Sequence, residues 1–456
     1  MEIFAHETTF LLSPLPLPAT FVSELGNQHR RGHVLQVKSP WETAKVSDPG
    51  TSTATVVDTN PYDDTSTHFV GRRWRLFWMS FRLGILTVLT LGFYRFWMKT
   101  RLRRWYWSAW RPLGHPLEYV GDPWEKLLGF LIAVVILAFY VGIVNLLLMF
   151  ASFALFNGNV AAYVLSFIGV IPLWFYARYR ARRYVLARSR WRGVRFGLAP
   201  GAWGFAARAM WHWFLTLITL GLLWPRKAFY LEKYITDRTY YGAEVMQQGG
   251  KWIVLFRPWL AVWLPILIGA AFVTWLRWTS LYIDVAQLYL MIAFLIFWFI
   301  WAVLNYRVKS LAYLTSQKQI AGATLYMAPR RWKVAGIYFW GYLLACVSVT
   351  LLLIPMGLIL FALVANFGEE FFEVAQSLES LPKAGLIAIN IALYFLVFLT
   401  WTTFVHAFVR FPLLRHYAQS FALRSPEGLK QVRQRGRDEF SEAEGFAEAL
   451  DVGAAI

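Results

Sequence analysis

Cysteine is almost absent from this sequence. Cys346 is the only one in 456 residues, so no disulfide, zinc cluster or redox pair can form within one chain. Acid is scarce as well: 26 Asp and Glu stand against 45 Lys and Arg, a net charge of +19. Metal-ligand spacing is missing. Four of the eight His lie at or before residue 68, and His115, His212, His406 and His416 are scattered. There is no Walker loop, GxGxxG, GxSxG or HExxH. No pair of carboxylates lies inside an apolar run. These gaps leave no catalytic residue, cofactor or metal to name, and a protein that is not an enzyme is expected. The start, Met1 to Glu7, lacks a positive n-region, and Pro14, Pro16 and Pro18 interrupt the leucine-rich stretch after it. No cleavable signal peptide is expected from it.

What the chain has is apolar length. Runs occur at about 83–98, 127–150, 160–177, 211–224, 258–276, 285–306, 335–365 and 384–409. A spanning helix needs about 20 residues, so six runs reach or approach that length. The runs at 83–98 and 211–224 are too short. Trp and Tyr, 24 and 22 in number, suit the wet edges of a bilayer.

Charge decides between two topologies. Segments 99–126, 178–208, 225–257 and 307–333 carry six, nine, six and six Lys or Arg. The stretch 151–159 has no charge, and 366–383 has four Glu against Lys383. If all eight runs cross, the basic segments fall on both sides, against the positive-inside rule. If 83–98 and 211–224 re-enter or lie in the interface, every basic segment and both termini are cytoplasmic. The second arrangement, six spans with two short elements, is the expectation.

An internal echo treats the two short runs alike. Thr87-Val-Leu-Thr-Leu-Gly92 returns 129 residues on as Thr216-Leu-Ile-Thr-Leu-Gly221. Gly114 returns as Gly242, and Gly193 as Gly322. A mixed polar and apolar stretch comes after each of these four glycines and reads as a short cytoplasmic strand or turn. The expected fold is therefore an all-α integral membrane protein, a polytopic helical bundle. It has two tandem repeats, 71–200 and 201–330, and a third helix hairpin at 331–424. Residues 1–67 read as a disordered tail and 425–456 as a polar tail.

One stretch resembles a known family. It runs from Phe69 and Gly71 through Thr90-Leu91-Gly92-Phe93-Tyr94 and Trp97-Met-Lys99. It continues with Arg101, Arg103, Arg104 and Tyr106 and closes on Gly114-His115-Pro116-Leu117-Glu118-Tyr119. This combination resembles the YjgN family of bacterial inner-membrane proteins, whose function is unknown. The opening Phe-x-Gly departs from that family in being followed by Arg72-Arg-Trp-Arg75. The resemblance implies a multi-pass protein of the bacterial inner membrane and supplies no reaction.

Two groups of candidate residues remain. Arg178, Arg180, Arg182, Arg183, Arg188, Arg190 and Arg192 interleave with aromatics and suit anionic lipid headgroups. Membrane lipids are the expected partner, and nucleic acid is not. Arg82, Asn145, Asn305, Asn390 and His406 fall in or beside apolar runs. Intramembrane polar residues suggest function. The plainer readings are snorkelling for Arg82 and hydrogen bonds between helices for the others. Two functions stay open: a channel, transporter or lipid-handling protein, or a non-transporting scaffold that binds anionic lipid or a protein partner.

Overall fold

A computed structural model describes residues 67–139, 142–143, 146–147, 150, 161–279, 284–377, 395 and 397–436. The N-terminal tail before residue 67, the C-terminal tail after 436, Asn145 and Asn390 lie outside them.

Long helices alternate with very short strands. Strand β1 (Thr67–Phe69) leads into helices α1 (Arg73–Leu89) and α2 (Arg95–Ala109). Strands β2 (Trp110–Pro112) and β3 (Glu118–Tyr119) precede α3 (Pro123–Phe139) and α4 (Ala161–Ala187). Next come β4 (Ser189–Trp191), β5 (Val194–Leu198), α5 (Ala202–Ile218) and α6 (Trp224–Thr236). The chain continues through β6 (Thr239–Tyr241), β7 (Glu244–Val245), β8 (Gln247–Gln248), α7 (Ile253–Thr279) and α8 (Val285–Ser316). It ends with β9 (Lys318–Ile320), β10 (Ala323–Met327), α9 (Arg331–Ser377), α10 (Val397–Gln419) and β11 (Phe421–Arg424).

Four helices among the described residues are long and apolar enough to cross a membrane: α7, α8, the Arg331–Pro355 part of α9, and α10. They make this a membrane protein. Leu267, Phe297 and Leu351 point outward from three of them, as side chains facing hydrocarbon would. Pro258 and Pro265 sit inside α7, and Pro355 inside α9. Membrane helices tolerate such breaks where neighbouring groups satisfy the freed carbonyls. The expected spans at 127–150 and 160–177 lie partly outside the described residues. The segment after 365, expected as a loop, continues α9 as helix to Ser377.

The all-α expectation needs correcting. The described residues include sheets of two, four and five strands. The cause is the four glycines. Leu113-Gly114, Arg192-Gly193 and Ala321-Gly322 all have positive φ at both residues, which is the two-residue hairpin turn whose twist matches paired strands. Gly242 turns β6 into β7. The stretches after Gly193, Gly242 and Gly322 are thus each one arm of an antiparallel hairpin, while Glu118–Tyr119, after Gly114, pairs with Ser189–Arg190.

These hairpins join end to end and fix which segments share a side. Phe69 pairs with Trp110, and Glu118 with Arg190. Phe196 pairs with Tyr241 across β5 and β6. At Met246 the strand changes partner, so Gln248 pairs with Lys318. Leu325 pairs with Leu423. Strand pairs sit about 5 Å apart, whereas a hydrocarbon core is about 30 Å thick. The strands within 110–119, 189–198, 239–248, 318–327 and 421–424 are therefore too close together for a membrane to lie between them. The strands also share one apolar core, in which Tyr106, Tyr184, Leu198, Tyr241, Leu325 and Phe421 are all buried.

Candidate functional site

The two Thr-Leu-Gly elements are helix–turn–helix hairpins closed by the same bonds. Gly92 N donates to Thr87 O at 2.7 Å, and Gly221 N to Thr216 O at 2.6 Å. Thr90 Oγ1 donates to Leu86 O at 2.7 Å, and Thr219 Oγ1 to Leu215 O at 2.8 Å. Each hydroxyl also accepts from the next helix, from Tyr94 N at 2.9 Å and Leu223 N at 3.3 Å. A hydroxyl that both donates and accepts explains the Thr. The Gly supplies a φ of +93° or +95°, which side chains disfavour.

The leucine between them is the informative residue. Leu91 has φ +50° and Leu220 φ +51°. A left-handed conformation costs a residue with a Cβ about 1–2 kcal/mol, and Asn or Gly would fit more easily. Each leucine side chain is also 80% exposed. Leu89 and Phe93 flank one tip, and Leu217 and Ile218 the other, all exposed. Both turns thus carry a strained, outward-pointing apolar residue.

Other family-motif residues pack behind the first tip. Trp97 stacks on Tyr94 and meets Trp124 edge-on. Arg103 is buried and donates to Tyr119 Oη at 3.3 Å. Lys126 lies 4.9 Å from the same ring and donates to Thr100 Oγ1 at 3.1 Å. Arg101 points outward, Lys99 is half-buried, and Pro116 and Glu118 flank the Gly114 turn.

Tyr106 meets a residue 300 positions away. Its Oη lies 3.2 Å from His406 Nδ1, and both side chains are buried. Arg410 Nη1 approaches His406 Nε2 at 3.5 Å. Both ring nitrogens of His406 thus face a polar partner, Tyr106 at Nδ1 and Arg410 at Nε2. Burial holds the Tyr106 hydroxyl well above its ordinary pKa, against the pull of Arg410. His406 opens a π-helical turn, His406–Arg410, a distortion frequent at functional sites. Gly341 of α9 lies against the carbonyl of Phe408 there, where a Cβ would clash.

The arginine run sits deeper than a headgroup surface would. Arg182 and Arg183 are buried, and Arg178, Arg180, Arg188, Arg190 and Arg192 are half-buried. Arg188 donates to Glu125 at 2.8 Å. Arg182 faces Glu232 at 3.7 Å, and Lys318 Nζ reaches the same oxygen at 2.5 Å. Burial pushes the Glu232 carboxyl up, but Lys318, Arg182 and the hydrogen bonds from Lys318 and Thr236 pull it below its ordinary value. Glu232 thus holds two cations between α4, α6 and β9. Sequence reasoning missed this triad. Its only signal was a lone acid in a basic helix.

Lys227 was missed as well. It is buried, with Nζ 3.4 Å from the Trp213 ring centre and 3.1 Å from that of Trp224. Burial, with Arg178 nearby, pushes its pKa down to about 7.

The intramembrane candidates divide. Arg82 is exposed, with its guanidinium 5.9 Å from the Trp78 ring centre. Asn305 accepts from Arg331 Nη1 at 3.3 Å, joining α8 to α9. No group of three His, Cys, Asp or Glu that could hold a metal occurs among the described residues.

Residues 64–349 match the family described as bacterial protein of unknown function, DUF898, and the chain belongs to it. No curated protein and no solved structure matches the chain.

Proposed function

We propose that this is a lipid-handling protein of the bacterial inner membrane, the location that its likeness to the YjgN family implies. The strained, exposed Leu91 and Leu220 carry the reading. A left-handed leucine in water would incur strain and lose burial together. In a leaflet its side chain is solvated by acyl chains. The two hairpins are then re-entrant tips of two tandem repeats, and six helices span. The strand-linked body is cytoplasmic, as its excess of arginine and lysine favours. Both termini lie on that side.

Tip insertion has a direct test. A fluorophore on Leu91→Cys or Leu220→Cys, with Cys346 replaced by Ser, is read with lipid quenchers placed at graded depths. Quenching is expected to be strongest from the upper acyl chain at both positions. Aqueous quenching alone at both would sink the proposal.

The second reading, a scaffold that transports nothing, draws support from the burial of Arg182 and Arg183. Arg182 is matched by Glu232 inside the protein, so that part of the run serves an internal ion pair. On this reading the exposed tips still anchor the body, and lipids remain the partner. An enzyme and a nucleic-acid partner fit neither reading.

A further inference from the structure

The two hairpins share a turn but not an inner face. Six residues after the turn glycine, the first hairpin has Met98 and the second Lys227. Five after, Trp97 corresponds to Arg226; nine before, Leu83 corresponds to His212; thirteen before, Met79 corresponds to Arg208. The first hairpin closes on apolar neighbours. Met98 takes a contact from Thr87, and Gly84 lies so near Leu399 of α10 that a Cβ would clash. At each of these four places the second hairpin has a basic side chain.

These groups converge. His212 lies within electrostatic reach of Arg208, Arg226 and Lys227, and Lys227 within reach of Arg178. Among the described residues, the charges that act on His212 are Arg226, Arg208 and Lys227, and the one that acts on Lys227 is Arg178. The acid in this layer, Glu232, is already held by Lys318 and Arg182. The cluster is graded: Arg208 and Trp213 are exposed, Arg226 is half-buried, and Lys227 and His212 are buried. Basic side chains thus stand at successive depths, from the exposed Arg208 to the buried Lys227, whose ammonium lies between two tryptophan rings. Packing alone does not call for it, since methionine serves that place in the first hairpin.

We propose that the inner face of the second hairpin binds the phosphate of an anionic lipid headgroup through Arg208, Arg226 and Lys227, with Trp213 and Trp224 as walls. The choice of a lipid rests on the reading that the tips enter the leaflet. With Leu220 among acyl chains, Arg226 and Lys227, six and seven residues on, lie about 10 Å nearer the surface, at headgroup depth, and Arg208, twelve residues before, lies further out. Phosphate suits this donor set, because several cations can share its oxygens through charge-assisted bonds.

The test uses the full-length protein in detergent. Native mass spectrometry tracks binding of a short-chain phosphatidylglycerol, with phosphatidylcholine and inorganic phosphate as comparisons. The variants are Lys227→Met and Arg226→Trp, each the residue of the first hairpin, with Arg82→Gln as control. Phosphatidylglycerol is expected to bind more tightly than phosphatidylcholine. Each hairpin-two variant should weaken it by about tenfold or more, Arg82→Gln should leave it unchanged, and millimolar phosphate should not displace it. Undiminished binding by Lys227→Met overturns the site. So does a Lys227→Met protein that cannot fold, because the lysine would then be structural. Full displacement by phosphate would mark a site for a soluble anion instead. The depth measurement at Leu220 separates the two ideas. A shallow tip with intact phosphatidylglycerol binding fails the leaflet reading alone. A deep tip with undiminished binding by Lys227→Met fails the site alone.

Discussion

The two hairpins have the same turn and opposite interiors. At the tips, Thr, Leu and Gly make matching hydrogen bonds and expose matching leucines. Eleven residues after the turn glycine, however, the first hairpin has Arg103 and the second Glu232. Arg103 ends on the hydroxyl of Tyr119, whereas Glu232 gathers Arg182 and Lys318. The tip is set by local backbone chemistry, and the interior by whatever each hairpin packs against. The first leans on α10 through Tyr106 and His406, the second on α4 and β9.

The largest effect should come from removing the acid that distinguishes the second hairpin. Glu232→Gln leaves Arg182 and Lys318 buried together without their counter-charge. Breaking such a pair costs about 3–5 kcal/mol, and a thermal melt in detergent should show a large drop. Its pH dependence comes from the lowered carboxyl of Glu232. That stabilisation is complete above the ordinary carboxylate range and fades as pH falls through the lower folded value. Glu232→Gln should therefore flatten the acid side of the stability profile. An unchanged acid limb would detach Glu232 from stability.

A smaller loss is expected at the first hairpin's own contact. Tyr106→Phe deprives buried His406 of its partner, at a cost of about 1–3 kcal/mol. The corresponding residue of the second hairpin is Ile235, and Ile235→Val should cost only about 0.5–1.5 kcal/mol. Comparable losses at both would erase the contrast between the interiors. Smallest and most alike should be the turn glycines. Nothing lies within 4 Å of a Cβ added at Gly92, and only Trp263, at 3.8 Å, near one at Gly221. Gly92→Ala and Gly221→Ala then meet backbone strain alone, about 1–2 kcal/mol each. A melt showing one much costlier than the other would show that the turns are not equivalent.

Sequence reading reached the tips because their chemistry is local. A Thr, a Leu and a Gly in order specify the turn, and the four hairpin glycines announce theirs. It also found the basic segments, whose strands the structure pairs with one another. Short strands or turns were read after the hairpin glycines, but their pairing into sheets was out of reach, because strands of two to five residues carry almost no periodicity. Their partners lie far along the chain, as Phe196 and Tyr241 do. The arginine run shows the same limit. Arg178 to Arg192 reads as a surface stripe until Glu125 and Glu232 arrive from other helices. Lys227 gave no signal beyond standing where its counterpart is Met98.

The central claim is that each hairpin returns to the side it left, so all basic segments share one face. Single cysteines at Ser108, Pro200 and Glu244, with Cys346 replaced by Ser, test it with a membrane-impermeant thiol reagent on intact cells. The account predicts that none is labelled until the membrane is opened, and then all three. Labelling of Glu244→Cys from outside, with Ser108→Cys protected, would contradict it.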